Sequence, residues 1–158
     1  MAYTFDYLVA HMRCPVCGCV TAADDSTEMT TRLRDEPQLA FLGVGDALPV
    51  DPARARANGY LVLREPSPHE EVVLLHTWVC PHCGSPFQWA KVVVRDGVIA
   101  SIEPTELDRD AIEGAHYIVD DAKLIAAQLI DEPRVFEVDD DTAARVLRER
   151  LGHDRAGP

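Results

Sequence analysis

The sequence predicts an α+β fold in which a β-rich body, interrupted by a long insertion, precedes helices in the C-terminal part. Three observations lead to this prediction. The motif Cys-Pro-x-Cys-Gly occurs twice, at residues 14–18 and 80–84. Asp96-Gly97 separates two runs of alternating apolar residues, which is the usual signal of a β-hairpin. Beyond residue 104 the apolar spacing becomes helical, and acidic residues stand where helices would begin.

The elements before the second motif are mostly strands, because apolar residues alternate along them or form short runs. The predicted strands are residues 3–9, 26–33, 38–50, 60–63 and 72–79, of which 26–33 is expected to be exposed and 38–50 to end in a turn. One short helix interrupts them. Asp51 is a good N-cap, Pro52 takes the first helical position, and Gly59 ends the helix.

The elements after the second motif begin with the hairpin and end with helices. Residues 87–94 and 98–102 are its two strands. Thr105 and Asp108 have the spacing of a capping box, which predicts a helix over 105–112. The remaining predicted elements are a strand at 116–119, a helix at 121–130, an extended piece at 135–138 and a helix from the acidic residues 139–141 through Leu151.

The two cysteine motifs are suited to binding one metal ion. In each motif a tight turn directs two sulfurs to one point, and the proline stiffens this turn by holding φ at about −65°. The glycine tolerates positive φ, so that backbone N–H groups turn toward the sulfurs. Because four thiolates complete a tetrahedral site, we predict that one structural metal ion is bound by Cys14, Cys17, Cys80 and Cys83.

The distance between the motifs along the chain is unusual. Between Cys17 and Cys80 lie 62 residues, whereas compact zinc modules use about 12–20. The entropic cost of closing a loop rises by only about 0.6 kcal/mol for each doubling of its length. Binding of structural zinc stabilises a fold by about 10 kcal/mol or more. We therefore predict a metal-binding body over 1–104 with an inserted segment at 20–76. An acidic, mainly helical part over 105–158 is expected to pack on it.

The motifs Cys14-Pro15-Val16-Cys17-Gly18 and Cys80-Pro81-His82-Cys83-Gly84 resemble the cysteine knuckles of the zinc-ribbon and rubredoxin group. The resemblance covers ten residues and the strands that flank them. It implies a zinc-ribbon-like body in which each knuckle is the tip of a strand pair. The long insertion departs from the usual pattern of both families, so the resemblance assigns no function.

The identity of the metal stays open at the level of the sequence, because a tetrahedron of four sulfurs suits zinc and iron alike. We expect zinc, with iron as the alternative cofactor. Disulfides are a further alternative, but five cysteines without a signal peptide predict a reduced, cytoplasmic setting. Cys19 is expected to be a small buried residue, and Trp78 and Trp89 are expected to pack in the core around the second knuckle.

Composition restricts the partners. The net charge is −12, and residues 103–158 carry −8 of it with 15 acidic and 7 basic side chains. Direct binding to nucleic acid needs a basic surface, so it is not expected. No apolar run approaches the roughly 20 residues of a membrane span, so no membrane contact is expected either. An acidic surface suits a basic protein partner.

The sequence therefore predicts a non-enzymatic, zinc-stabilised binding or accessory protein that acts through protein–protein contacts. An acidic inhibitor or immunity-type protein for a basic partner is one concrete form. The alternative is a rubredoxin-like iron electron carrier. A second alternative is an enzyme with its site in the inserted segment, where His69, Glu70, Glu71 and His76 are close in sequence.

Overall fold

A computed structural model describes residues 5–22, 27–34 and 39–152. The described residues form a mixed α+β protein with a three-stranded sheet, a five-stranded sheet and four α-helices. The strands are β1 (Asp6–Leu8), β2 (Thr30–Thr31), β3 (Phe41–Leu42), β4 (Tyr60–Val62), β5 (Val72–Trp78), β6 (Gln88–Arg95), β7 (Val98–Thr105) and β8 (Tyr117–Val119). The helices are α1 (Pro52–Ala57), α2 (Arg109–Gly114), α3 (Lys123–Leu129) and α4 (Asp140–Leu147).

The five-stranded sheet has the strand order β4-β8-β5-β6-β7. Strands β5, β6 and β7 pair antiparallel in succession, whereas β8 lies between β4 and β5, antiparallel to the first and parallel to the second. The side chains of Tyr117 and Ile118 in β8 are fully buried. The chain beyond residue 104 therefore contributes an interior strand to the same sheet as residues that precede the second knuckle.

The predicted hairpin is confirmed as β6 and β7. Asp96 and Gly97 both have positive φ, as a type I′ turn requires. Strand β7 runs past the predicted end, and Thr105 pairs with Trp89. The predicted capping box at Thr105 is therefore wrong: α2 begins later, and its N-cap is Asp108, whose carboxylate accepts a hydrogen bond of 2.9 Å from the N–H of Ala111.

The three-stranded sheet has the order β2-β1-β3 and turns a face with a buried carboxylate inward. The interior side of β1 carries Asp6 and Leu8, both buried. Arg34 donates to the Asp6 carboxylate from Nε at 2.8 Å and from a terminal nitrogen at 2.7 Å. The aromatic residues lie on the other side, where Tyr7 stacks on Phe41 with ring centroids 5.3 Å apart. The inward face of β1 thus includes a buried carboxylate whose partner, Arg34, lies 28 residues away, and local alternation does not indicate such a partner.

The prediction of an exposed strand over residues 26–33 is wrong. Residues 23–26 lie outside the described part of the chain, and the strand itself is only β2. The alternating side chains of the segment 27–33, namely Met29, Thr31 and Leu33, are at most 3% exposed. They pack into the core between the two sheets because β2 pairs with β1. Threonine content alone therefore did not indicate exposure.

The core consists of two clusters on opposite faces of the five-stranded sheet. One cluster contains Leu74 and Trp78 of β5 together with residues of the small sheet. The other contains Leu75 of β5 and the apolar sides of α3 and α4. Trp89 belongs to this second cluster and is 8% exposed, so the expectation that both tryptophans pack in the core is confirmed. A sheet covered on both faces is a rigid support for the knuckle at its end.

The first residues of α1 and α4 follow the sequence signals. The Asp51 carboxylate accepts from the N–H of Ala53 at the start of α1, and the Asp139 carboxylate accepts from the N–H of Thr142 at the start of α4. The predicted extended piece at 135–138 is instead a single 3-10 turn over Val135–Glu137, preceding α4. Within the described ranges, no helix has the length and hydropathy needed to cross a bilayer.

A buried histidine makes stability depend on pH. His76 is 1% exposed, its Nε2 shares a hydrogen bond of 2.8 Å with the Tyr60 hydroxyl, and burial lowers its pKa to about 4. Unfolding restores a pKa of about 6.5, so the unfolded chain binds the extra proton between these values. This contribution to stability is present above pH 6.5 and is lost as the pH falls toward 4, by up to about 3 kcal/mol.

We expect His76→Gln to flatten the dependence of the unfolding free energy on pH between 6.5 and 4.5, measured by urea denaturation. The exposed His69 supplies the control, and His69→Gln should keep the slope of the wild type. Metal release and the titration of His116 act in all three proteins, so the difference between their slopes isolates His76. Equal slopes in all three would contradict the assignment.

Candidate metal centre

The structure brings the four predicted cysteines together. The Sγ atoms of Cys14, Cys17, Cys80 and Cys83 all lie within 4.8 Å of one another. Cys14 Sγ is 3.8 Å from Cys83 Sγ, and Cys17 Sγ is 3.7 Å from Cys80 Sγ. A zinc–sulfur bond of about 2.3 Å corresponds to a tetrahedral edge of about 3.8 Å. The four sulfurs therefore have a spacing at which one tetrahedral ion can be bound.

Each knuckle lies at the turn of an antiparallel pair. The first is closed by a bridge between Arg13 and Val20, and the second connects β5 to β6, whose last pairing is between Trp78 and Gln88. The two turns are brought near each other by tertiary contacts. One of these is the hydrogen bond of 2.9 Å from the N–H of Val79 to the carbonyl of Thr27.

The two knuckles share one backbone conformation. The N–H of Gly18 donates to the carbonyl of Cys14 at 2.9 Å, and the N–H of Gly84 donates to the carbonyl of Cys80 at 2.8 Å. Both glycines have positive φ, +77° and +74°. A side chain there would meet no atom within 4 Å, so the conformation itself, rather than space, is what calls for glycine.

Cys19 and Ser85 occupy the same position in the two knuckles. The N–H of Cys14 donates to the carbonyl of Cys19 at 2.9 Å, and the N–H of Cys80 donates to the carbonyl of Ser85 at 3.2 Å. The position acts through its backbone, which explains why it holds a thiol in one knuckle and a hydroxyl in the other. The expectation that Cys19 is buried is wrong: it is exposed and does not belong to the group of four.

Two of the four cysteines are buried and the other two are exposed to solvent. Cys14 and Cys80 are at most 1% exposed and belong to the core cluster that includes Trp78. Cys17 and Cys83 are exposed. The first cysteine of each knuckle is therefore anchored in the core, and the second faces solvent.

The electrostatics of the four thiols favour a bound cation. The N–H of Cys17, followed by that of Val16, lowers the pKa of Cys14 to about 7. The N–H of Ser85 lowers the pKa of Cys83, but desolvation and the three neighbouring cysteines together raise it to about 12. Like charges this close cannot all form without compensation. A divalent cation supplies that compensation, so the donor set fits a metal ion.

The inserted residues singled out from the sequence have separate structural partners. Hydrogen bonds or ion pairs join His76 to Tyr60, Glu70 to Arg64 and His116, and Glu71 to Arg95. His69 is exposed and has a positive φ. Their closeness in sequence does not correspond to a shared network of contacts.

Sequence reasoning missed His116. Its side chain is 1% exposed, its Nδ1 accepts from the N–H of Val73 at 3.0 Å, and its Nε2 lies 3.2 Å from a Glu70 oxygen. The N–H of Ser67 and then His116 lower the pKa of Glu70 to about 2. No local pattern indicates this contact, because it joins the residue that precedes β8 to a turn more than 40 residues away.

Apolar surface and two cavities adjoin the knuckles, and we call this region the knuckle surface. Val16, Val20 and Phe87 are 65%, 46% and 50% exposed. One cavity of about 260 Å³ lies beside Trp89, and another of about 160 Å³ lies beside Phe87. Trp78 lines both. Their walls come from distant segments, so the sequence alone did not indicate them.

Comparisons with models of known protein families, with curated proteins and with solved structures found no match to this chain. Any functional assignment therefore depends on the geometry and chemistry described above.

The knuckle glycines provide a first test. We expect Gly18→Ala and Gly84→Ala each to lower the free energy of unfolding by about 1–2 kcal/mol, because an alanine is strained at positive φ. Gly114→Ala is the matched control, since it has equal open space and no positive φ. Urea denaturation of the metal-loaded protein measures the differences. A cost at Gly114 equal to that at the knuckles would contradict the explanation.

The ligands provide a second test. Cys14→Ser should weaken zinc binding by more than about 100-fold and should lower the melting temperature. Loss of a residue that only hydrogen-bonds to a metal ligand weakens binding by up to about 100-fold, so loss of a ligand should cost more. Cys19→Ser should retain both properties, because its side chain lies outside the four. Native mass spectrometry and thermal melting measure the outcome. Stoichiometric zinc in Cys14→Ser would exclude the proposed ligand set.

Proposed function

We propose that the protein is a zinc-stabilised binding protein that acts through contact with a basic protein partner. The observation that carries the proposal is the spacing of 3.7–3.8 Å between paired sulfurs of the four cysteines. Four thiolates around one zinc ion leave no position for water or substrate, whereas catalytic zinc usually keeps three protein ligands and one open position. The metal is therefore assigned a structural role.

The position of the site supports this role. Cys14 and Cys80 are part of the core, and the knuckles connect segments that are 62 residues apart. Zinc bound there stabilises the fold because the unfolded chain has no preformed site. It also holds the knuckle surface in place, including the exposed side chains of Val16 and Phe87. Thiolate ligation requires reduced cysteines, which accords with a cytoplasmic protein.

The net charge supports the class of partner. A chain with a charge of −12 attracts basic surfaces and accelerates association with them at low salt. An inhibitor or immunity-type protein is a concrete form, in which an acidic surface covers the basic functional surface of its partner. Such a protein needs a rigid surface and no reaction of its own.

An iron-containing electron carrier is the second candidate. It is favoured by the exposure of Cys17 and Cys83, because sulfurs at the surface bring the metal within reach of an electron donor or acceptor. Iron bound in this way would give a coloured protein with a reversible one-electron wave.

Metal analysis and binding measurements test the proposal together. The purified protein should contain one zinc per chain and be colourless, and chelation should lower its melting temperature. A basic partner identified by affinity capture and then purified should bind the zinc-loaded protein and lose affinity at high salt. A red, redox-active sample would favour the electron carrier instead. An unchanged melting temperature after chelation would exclude a structural metal.

A further inference from the structure

We propose that the cavity beside Phe87 is a binding site for an arginine side chain of the partner. This inference rests on the proposed function and specifies how the partner is recognised. We call the site the Phe87 cavity; its walls include Glu28, Trp78, Val79, Pro86, Phe87 and Asp121. It lies next to the second knuckle, since Trp78 precedes Cys80 by two residues and Pro86 follows Gly84 by two.

Two acidic residues from separate segments line this cavity. Glu28 precedes β2, and Asp121 lies in the turn between β8 and α3; both are exposed. Among the described residues, no hydrogen bond or ion pair engages either carboxylate. Lys123, the base nearest to Asp121 in sequence, pairs with Asp140 instead. The cavity therefore presents two negative charges that a cation from outside can neutralise.

Aromatic and apolar residues, together with Thr77, form the rest of the wall. Phe87 is 50% exposed, and Trp78 forms part of the lining. A cation over an aromatic face gains about 0.5–2 kcal/mol, and arginine makes such contacts more often than lysine. The planar guanidinium stacks on an aromatic ring while its edge donates to carboxylates. This combination of groups matches arginine better than a neutral or acidic side chain.

The size and the neighbouring cavity sharpen the assignment. At about 160 Å³ the Phe87 cavity admits one side chain and excludes a folded element. The larger cavity beside Trp89 has Arg13 in its wall together with Glu106. A cation is disfavoured there by the guanidinium of Arg13. The two cavities thus differ in charge although they share Trp78.

An NMR titration of the zinc-loaded protein tests the site directly. The probe is N-acetyl-arginine methylamide, and its uncharged isostere N-acetyl-citrulline methylamide is the control ligand. We expect saturable shifts of the Phe87 amide and the Trp78 indole with the arginine probe, and none with the citrulline compound. N-acetyl-lysine methylamide should bind more weakly than the arginine probe.

Variants of the walls supply matched controls. The double variant Glu28→Gln, Asp121→Asn should bind the arginine probe at least tenfold more weakly, because both charges are lost with little change of shape. Phe87→Leu should also weaken it. Glu106→Gln removes a charge from the other cavity and should leave the affinity unchanged. Zinc content and melting temperature establish that each variant is folded.

The outcomes separate this inference from the proposed function. Equal shifts with the citrulline compound, or undiminished binding by the double variant, would overturn the arginine site. If a purified basic partner still binds the double variant as tightly as the wild type, the binding function stands and the Phe87 cavity is not its contact. Loss of both the probe and the partner in the double variant supports the two proposals together.

Discussion

The interaction on which the rest of the structure depends is the approach of four thiol groups to within 4.8 Å of one another. Thiolates at this distance repel each other, and a divalent cation would offset the repulsion because each thiolate attracts it. The two inner cysteines, Cys14 and Cys80, belong to the core cluster between the sheets. The four-cysteine site and the packed core therefore form one unit.

The five-stranded sheet carries that unit at one end. It is buried on both faces, and β8 lies inside it, so the chain beyond residue 104 and the second knuckle share one support. The exposed Val16 and Phe87 are attached to the two knuckles rather than to long loops. A surface held in this way loses little conformational entropy on binding, which favours recognition by preformed shape.

Charge is the second part of the proposed recognition of a protein partner. The chain is strongly acidic overall, yet its described ion pairs are mostly solvent-exposed pairs that contribute little stability. Two pairs include a buried side chain, namely Asp6 with Arg34 and His116 with Glu70. Glu28 and Asp121, whose carboxylates have no such partner among the described residues, are the acids that the proposed basic partner would contact. The presence or absence of an ion-pair partner within the chain, rather than the net charge, distinguishes acidic residues with a structural role from those proposed to contact another protein.

The sequence by itself determined the features that depend on neighbouring residues: the two cysteine knuckles, the turn at Asp96-Gly97 and the cap at Asp51. Each results from local backbone chemistry, which a short motif contains in full. Only the tertiary structure decided that β1 buries Asp6, that β8 enters the large sheet and that Trp78 lines two cavities of different charge. These features arise from pairing and burial between segments far apart in the chain, and no local pattern specifies which remote partner a residue meets.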